Sequence, residues 1–248
     1  MLGIYKHNDY GLCIMKRDDI EAEAENILRN YCPDCLTMPM EINIEKLIED
    51  MGLKLCYANM SKQANILGAF VFNKGIIPIY DGDNLCQSMY DAKTIIIDAT
   101  IADTDDPRLR FTYGHELGHY VTQYDIFHID ENQISLFDYD GEKQNAVICK
   151  RENIECNSFF GNHKKLVTKE DWQEWQANYF SSAILIPKST LQIALSPYLE
   201  NYDIMDQTPP LNKLEYSELE EAIKRFSKIF NVSNKMMINR LKGLKYLA

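Results

Sequence analysis

The sequence predicts an α+β fold: a small mixed sheet, a long helix bearing an HExxH motif, and a helical, helix-turn-helix-like C-terminal appendage. Three observations carry that expectation. β-Branched and aromatic runs cluster between residues 53 and 98, apolar residues recur at helical spacing on both sides of that cluster, and 46% hydrophobic with 25% charged residues is ordinary globular composition. A chain of 248 residues, set against about 150 for a typical domain, suits one large domain with an addition. The expected division is an N-terminal helical segment over 1–40, a main domain over 41–190 and a helical region over 191–248.

Residues 18–31 (DDIEAEAENILRNY) read as a helix opened by aspartates and closed by Pro33. A short helix is expected over about 41–51, where Ile44, Leu47, Ile48 and Met51 share a face and Gly52 stops it. The runs LKLCYA (53–58), LGAFVFN (67–73) and IIPIY (76–80) read as strands of one small sheet, the last two joined across Lys74 and Gly75. TIIID (94–98) reads as a further strand, placed to offer an edge to an extended substrate. Asp106 and Pro107 then supply a cap and a first position for a helix reading PRLRFTYGHELGHYVTQ. Residues 124–167 read as a long elaboration with one strand at 146–151. Thr168 and Asp171 form a capping box for a helix through EDWQEWQANYFSSAIL, ended by Pro187, and helices at about 188–201, 216–230 and 234–242 complete the chain.

The formal charge of −11, from 26 Lys and Arg against 37 Asp and Glu, argues against a body that wraps nucleic acid or lies on an anionic membrane. No run approaches the ~18 apolar residues of a membrane span. The first twenty residues mix charge and polarity throughout, so a cytoplasmic protein without membrane contact is expected. Seven cysteines, at 13, 32, 35, 56, 86, 149 and 156, show no framework spacing and are expected as reduced thiols. Cys32 and Cys35 of CPDC are included, because no second CxxC follows to complete a zinc ribbon and no preceding strand suggests a thioredoxin-like unit.

His115, Glu116 and His119 form HELGH. Two histidines four residues apart lie on one helical face, so two imidazole nitrogens can converge on one ion. Glu116 projects ~100° round the helix from His115 and can reach a water at that ion without occupying a ligand position. This is the geometry of a zinc hydrolase. Gly118 beside the histidine stripe costs roughly 1 kcal/mol relative to Ala inside a helix, and so marks a place where another backbone comes close.

Catalytic zinc takes three protein ligands and leaves a position open, so one more ligand must come from elsewhere. Asp125 stands six beyond His119, so a third histidine does not complete the motif. On the helix after Thr168, Glu174, Ala177, Asn178 and Ser181 share one stripe, a carboxylate followed by small or short residues that permit close approach to Gly118. Glu174 is then the expected third zinc ligand, and Asn178 one turn on can hold a ligand's outer nitrogen or its carboxylate. Glu170 and Asp171 are the alternatives. For stabilising a tetrahedral oxyanion, His128, His163, Tyr120 and Arg151 are candidates among which the sequence does not choose.

RLRFTYGHELGHYV followed by EWQANYFSSAILIP resembles the ImmA/IrrE family of bacterial metallo-endopeptidases, and NILGAFVF and TIIID resemble that family's sheet. The resemblance covers about residues 40–190. It implies a zincin-like domain with one Zn2+ held by His115, His119 and Glu174, and Glu116 as catalytic base. It also implies a substrate that is a cytoplasmic regulatory protein, such as a helix-turn-helix repressor of a mobile element or stress regulon. The chain departs from the family in its 54 residues between His119 and Glu174, and in Ser181 and Ser182 where the family usually has Ala. The rival expectation is a zinc-containing transcription regulator or toxin–antitoxin partner with little peptidase activity.

Residues 211–248 hold eight Lys and Arg against four Glu, or +4, while residues 1–210 carry −15. Leu219, Ala222, Ile223, Phe226 and Phe230 make one apolar face, Ser233 caps, and Met237, Leu241 and Leu244 continue a second helix. Weak contact of this region with DNA or a protein partner is therefore an expectation, beside simple packing.

Overall fold

The computed structural model describes residues 15–63, 65–102, 107–128, 146–150, 168–199 and 209–248. Helix α1 (Arg17–Tyr31) buries Ile20, Ala24, Ile27 and Leu28, one stripe at helical spacing. It gives way to a 3-10 turn over Pro33–Leu36. That turn overturns one expectation: it brings the Cα atoms of Cys32 and Cys35 to 5.5 Å, and the pair is joined in a disulfide rather than left as thiols. Such a separation lies within the span a disulfide bridges. Helix α2 (Ile44–Asp50) buries Ile44, Leu47 and Ile48, and the Asn43 side chain caps it by accepting from the Lys46 amide.

The described residues form six strands: β1 (Lys54–Ala58), β2 (Ile66–Val71), β3 (Gly75–Asp81), β4 (Asn84–Tyr90), β5 (Thr94–Asp98) and β6 (Ala146–Lys150). Four of them form a mixed sheet in the order β1-β5-β2-β6, with β1 parallel to β5 and the other pairs antiparallel. Two expectations fail here. β3 does not fold back on β2; it pairs with β4 along seven residues, from Gly75 opposite Tyr90 to Asp81 opposite Asn84. The turn between them holds Gly82 at φ +56°, a left-handed conformation that glycine adopts without steric cost. β5, expected at an edge, lies between β1 and β2 with both sides hydrogen-bonded, so it has no free edge for a substrate.

The position of β5 explains its unbroken apolar run. Ile95 and Ile97 join the core beneath the helices together with Phe70 and Phe72, whereas Ile96 joins Ala69, Val71 and Ile77 beneath the β3–β4 hairpin. A strand covered on both faces needs no polar alternation.

After the short α3 (Ala99–Ala102) comes α4 (Pro107–Phe127), four residues longer than the expected motif helix, with Pro107 at its first position. The proposed Asp106 cap lies outside the described residues. Helix α5 (Lys169–Leu185) begins at the expected capping box, in which Thr168 Oγ1 accepts from the Asp171 amide at 3.1 Å and Asp171 Oδ2 accepts from the Thr168 amide at 3.1 Å. The chain continues through α6 (Lys188–Leu199), a 3-10 turn at Pro210–Lys213, α7 (Tyr216–Phe230) and α8 (Asn234–Gly243). Among the described residues no helix is long and apolar enough to cross a membrane.

One hydrophobic cluster runs from Met15 to Leu241 and takes in α1, α4, α5, α7 and α8. Its polar knot is Arg240, fully buried although it belongs to the basic tail by sequence. Both guanidinium nitrogens meet the Glu21 carboxylate, Nη2 at 2.7 Å, while Nε donates to the Ile186 carbonyl at 3.0 Å and the Tyr179 hydroxyl donates to Glu21 at 2.7 Å. The basic surface of 211–248 is therefore smaller than the residue count suggests. A second tie is Arg110 on α4, which donates to Glu41 at 2.7 Å and to the carbonyl of Asn231 at 3.0 Å, in the turn before α8.

Burial pushes the Glu21 carboxyl up, but the charge and hydrogen bonds of Arg240, with the Tyr179 hydroxyl, outweigh it and hold the group below its ordinary value of 4.5. A depressed folded-state pKa contributes stability that is present above the unfolded value and lost as pH falls through the folded one. Arg240→Met strands the buried carboxylate and is expected to cost about 3–5 kcal/mol in urea unfolding at pH 7. That gap should narrow as the pH drops below 4.5; a gap that stays constant would refute the pairing.

Candidate metal centre

The site is made where α4 meets α5 and the sheet. Gly118 lies so close to α5 that a Cβ there would sit 2.8 Å from both Cα and O of Ala177, and one turn earlier a Cβ on Gly114 would sit 2.6 Å from Ser181 Oγ. Ser181 also donates its hydroxyl to the Phe111 carbonyl at 2.8 Å, so this buried serine is satisfied by the facing helix. The small stripe of α5 thus meets the glycine side of α4, as the sequence implies.

That approach aims Glu174 at the two histidines. Its carboxylate oxygens lie 3.4 Å from His115 Nε2 and 3.6 Å from His119 Nε2, and the two Nε2 atoms are 2.9 Å apart. One ligand atom from each of the three side chains falls within 4.8 Å of the others, a group able to hold a metal ion. His115 and His119 are fully buried, and the Glu174 side chain keeps 16% exposure. Glu170 is exposed and Asp171 is engaged in the cap, so neither alternative joins the group.

The outer nitrogens are held as well. Asn178 Oδ1 lies 3.1 Å from His115 Nδ1, so of its two expected partners it meets a ligand's outer nitrogen, and Gln123 Oε1 lies 2.9 Å from His119 Nδ1. Gln123 was missed by sequence reasoning, although it follows His119 by one helical turn on the same stripe. With each Nδ1 facing a carboxamide oxygen, the two Nε2 atoms face each other at 2.9 Å, and a cation between them would take a lone pair from each ring. The donor set, two neutral imidazoles and a carboxylate, suits zinc.

Burial, and then the neighbouring His119, holds His115 well below the usual imidazole range; burial lowers His119 to about 4, against the opposing hydrogen bond that its Nδ1 donates to Gln123. Neutral imidazole is the ligating form. Glu116 is fully buried, with both carboxylate oxygens lacking a hydrogen-bond partner among the described residues, and burial followed by the charge of Glu174 pushes its pKa well above the ordinary carboxyl value. It lies against β2, where a Cβ on Gly68 would sit 2.8 Å from Glu116 Oε1. The glycine leaves the space that this carboxyl occupies.

Of the residues considered for oxyanion stabilisation, Tyr120 packs on Phe70 and Tyr124, and His128 stacks on Tyr124 with Nδ1 3.1 Å from the Phe72 carbonyl. Both serve the sheet-to-helix packing. His163 and Arg151 lie outside the described residues. No protein-family model matches this chain, and no curated protein matches it significantly.

Gly118→Val would drive a branched side chain into the Ala177 backbone. The expected loss is about 1–3 kcal/mol in denaturant unfolding, with weakened metal binding because Glu174 moves with α5. An unchanged unfolding midpoint would remove this contact as the constraint on the site.

Proposed function

We propose that the chain is a zinc metallo-endopeptidase with a zincin-like domain of the ImmA/IrrE kind, acting on a regulatory protein such as a helix-turn-helix repressor. The observation that carries this reading is the convergence of His115, His119 and Glu174 beside a buried, unpartnered Glu116 carboxyl. His115, His119 and Glu174 would hold one Zn2+, which when bound supplies Lewis-acid polarisation of a peptide carbonyl and acidifies water. Glu116 takes the proton of the attacking water and returns it to the leaving amine. Its environment suits that cycle: desolvation raises its proton affinity, and no competing hydrogen bond fixes its oxygens.

A regulator with a purely structural zinc is the weaker alternative. Structural sites use four protein ligands and need no base, whereas the group among the described residues has three ligands and a carboxyl poised next to it. In this reading the C-terminal helices brace the peptidase body rather than grip DNA, since Arg240 is spent on Glu21 and the turn before α8 is spent on Arg110.

Two variants test the assignment. Glu116→Gln is expected to retain zinc while abolishing cleavage of a co-encoded repressor; undiminished repressor loss would remove the peptidase reading. Glu174→Ala is expected to hold less than half a zinc per chain by metal analysis under conditions that saturate the wild type, and full occupancy would strike Glu174 from the ligands.

A further inference from the structure

His119 is held from behind by a directional chain of hydrogen bonds. Its Nδ1 lies 2.9 Å from Gln123 Oε1, and the same carboxamide donates through Nε2 to the backbone carbonyl of Gln173 at 3.1 Å. A backbone carbonyl can only accept, so the amide nitrogen must face Gln173 and the amide oxygen must face His119. That oxygen in turn only accepts, so Nδ1 carries the hydrogen and the lone pair is left on Nε2, toward His115 and Glu174. Gln123 is buried, and water does not compete for either bond. Gln173 immediately precedes Glu174 on α5, so the chain joins one histidine of the trio to the backbone that carries the carboxylate.

His115 lacks the second half of this device. Asn178 Oδ1 reaches its Nδ1, but Asn178 Nδ2 is buried without a hydrogen-bond partner among the described residues, none of which supplies an acceptor that fixes the amide's orientation.

We propose that the Gln173 carbonyl, acting through the Gln123 carboxamide, selects the tautomer of His119 that presents Nε2 to a metal and keeps that ring in register with Glu174, making Gln123 a positioning residue. The inference rests on the metal-site reading above.

The test uses the full chain as wild type, Gln123→Leu and Gln123→Glu, with Zn2+ and Co2+ as the metals. Long-range 1H–15N spectra of the metal-free proteins report the histidine tautomers, Zn2+ affinity is measured by competition, and Co2+ absorption bands report the ligand geometry. In the wild type, His119 carries its hydrogen on Nδ1. Gln123→Leu, similar in volume but with neither acceptor nor donor, mixes the tautomers and loses about 10–100-fold in Zn2+ affinity. Gln123→Glu keeps an acceptor for Nδ1–H and loses less than Gln123→Leu. A role in packing alone predicts the reverse order, with Leu tolerated and the buried carboxylate harmful, and that order would overturn the proposal. So would an Nε2-protonated His119 in the metal-free wild type, a result that needs no variant to fold. Failure of the wild type to bind either metal would instead overturn the metal-site reading itself.

Discussion

The contact between α4 and α5 is the constraint on which the rest of the structure depends. At Gly114 and Gly118 the first helix presents no side chain, and Ala177 and Ser181 of the second come within distances that a Cβ would violate. Helices packed through ordinary side chains keep their axes about 8–10 Å apart. Removing Cβ atoms at the seam is what lets a carboxylate on α5 reach imidazoles on α4. The same stripe that permits approach carries Glu174 and Asn178, so packing and ligand placement arise from one surface. Ser181 adds a directional bond to the Phe111 carbonyl, which fixes the helices in rotation as well as distance.

The surroundings hold this seam from both ends. β2 lies under α4 with Gly68 against Glu116, and the sheet is itself closed off by the β3–β4 hairpin on its other face. Behind α5, Glu21, Tyr179 and Arg240 tie the first helix, α5 and the last helix into one buried network. A buried ion pair is not in itself a large source of stability, yet its geometry is demanding: both carboxylate oxygens and all three kinds of guanidinium nitrogen have partners. That leaves α1 and α8 one way to sit against α5. At the site, burial opposes charge on both imidazoles and on the Glu116 carboxyl. The imidazoles are kept neutral and the Glu116 carboxyl is left with raised proton affinity.

Much of this was legible in the sequence because it is local. The HELGH spacing places two rings on one helical face by periodicity alone, Thr168 and Asp171 mark a helix start through their own side chains, and Gly118 opposite a small stripe signals close approach. The β3–β4 hairpin was not seen because NLCQSMY lacks the β-branched residues that mark a strand. The signal that was available was Gly82-Asp83, a two-residue turn pair with glycine first. The edge assigned to β5 failed for a different reason: an apolar run reports burial on two faces but says nothing about which strands flank it. Cys32 and Cys35 show the same limit, since a four-residue spacing fits a thiol pair or a disulfide and the 3-10 turn decides between them.

The sequence by itself determined the pieces with short-range causes: the secondary elements, their caps, the paired histidines and base, and the stripe from which a third ligand would come. Only the tertiary structure decided which partners meet across long stretches of chain. It brought Glu174 to His115 and His119 across 58 and 54 intervening residues, put Gln123 between His119 and the Gln173 carbonyl, and buried Arg240 of the basic tail against Glu21. The physical reason is that helical period and side-chain chemistry act within a few residues of backbone. Long-range pairings are instead set by which surfaces fit when all the elements bury their apolar faces at once.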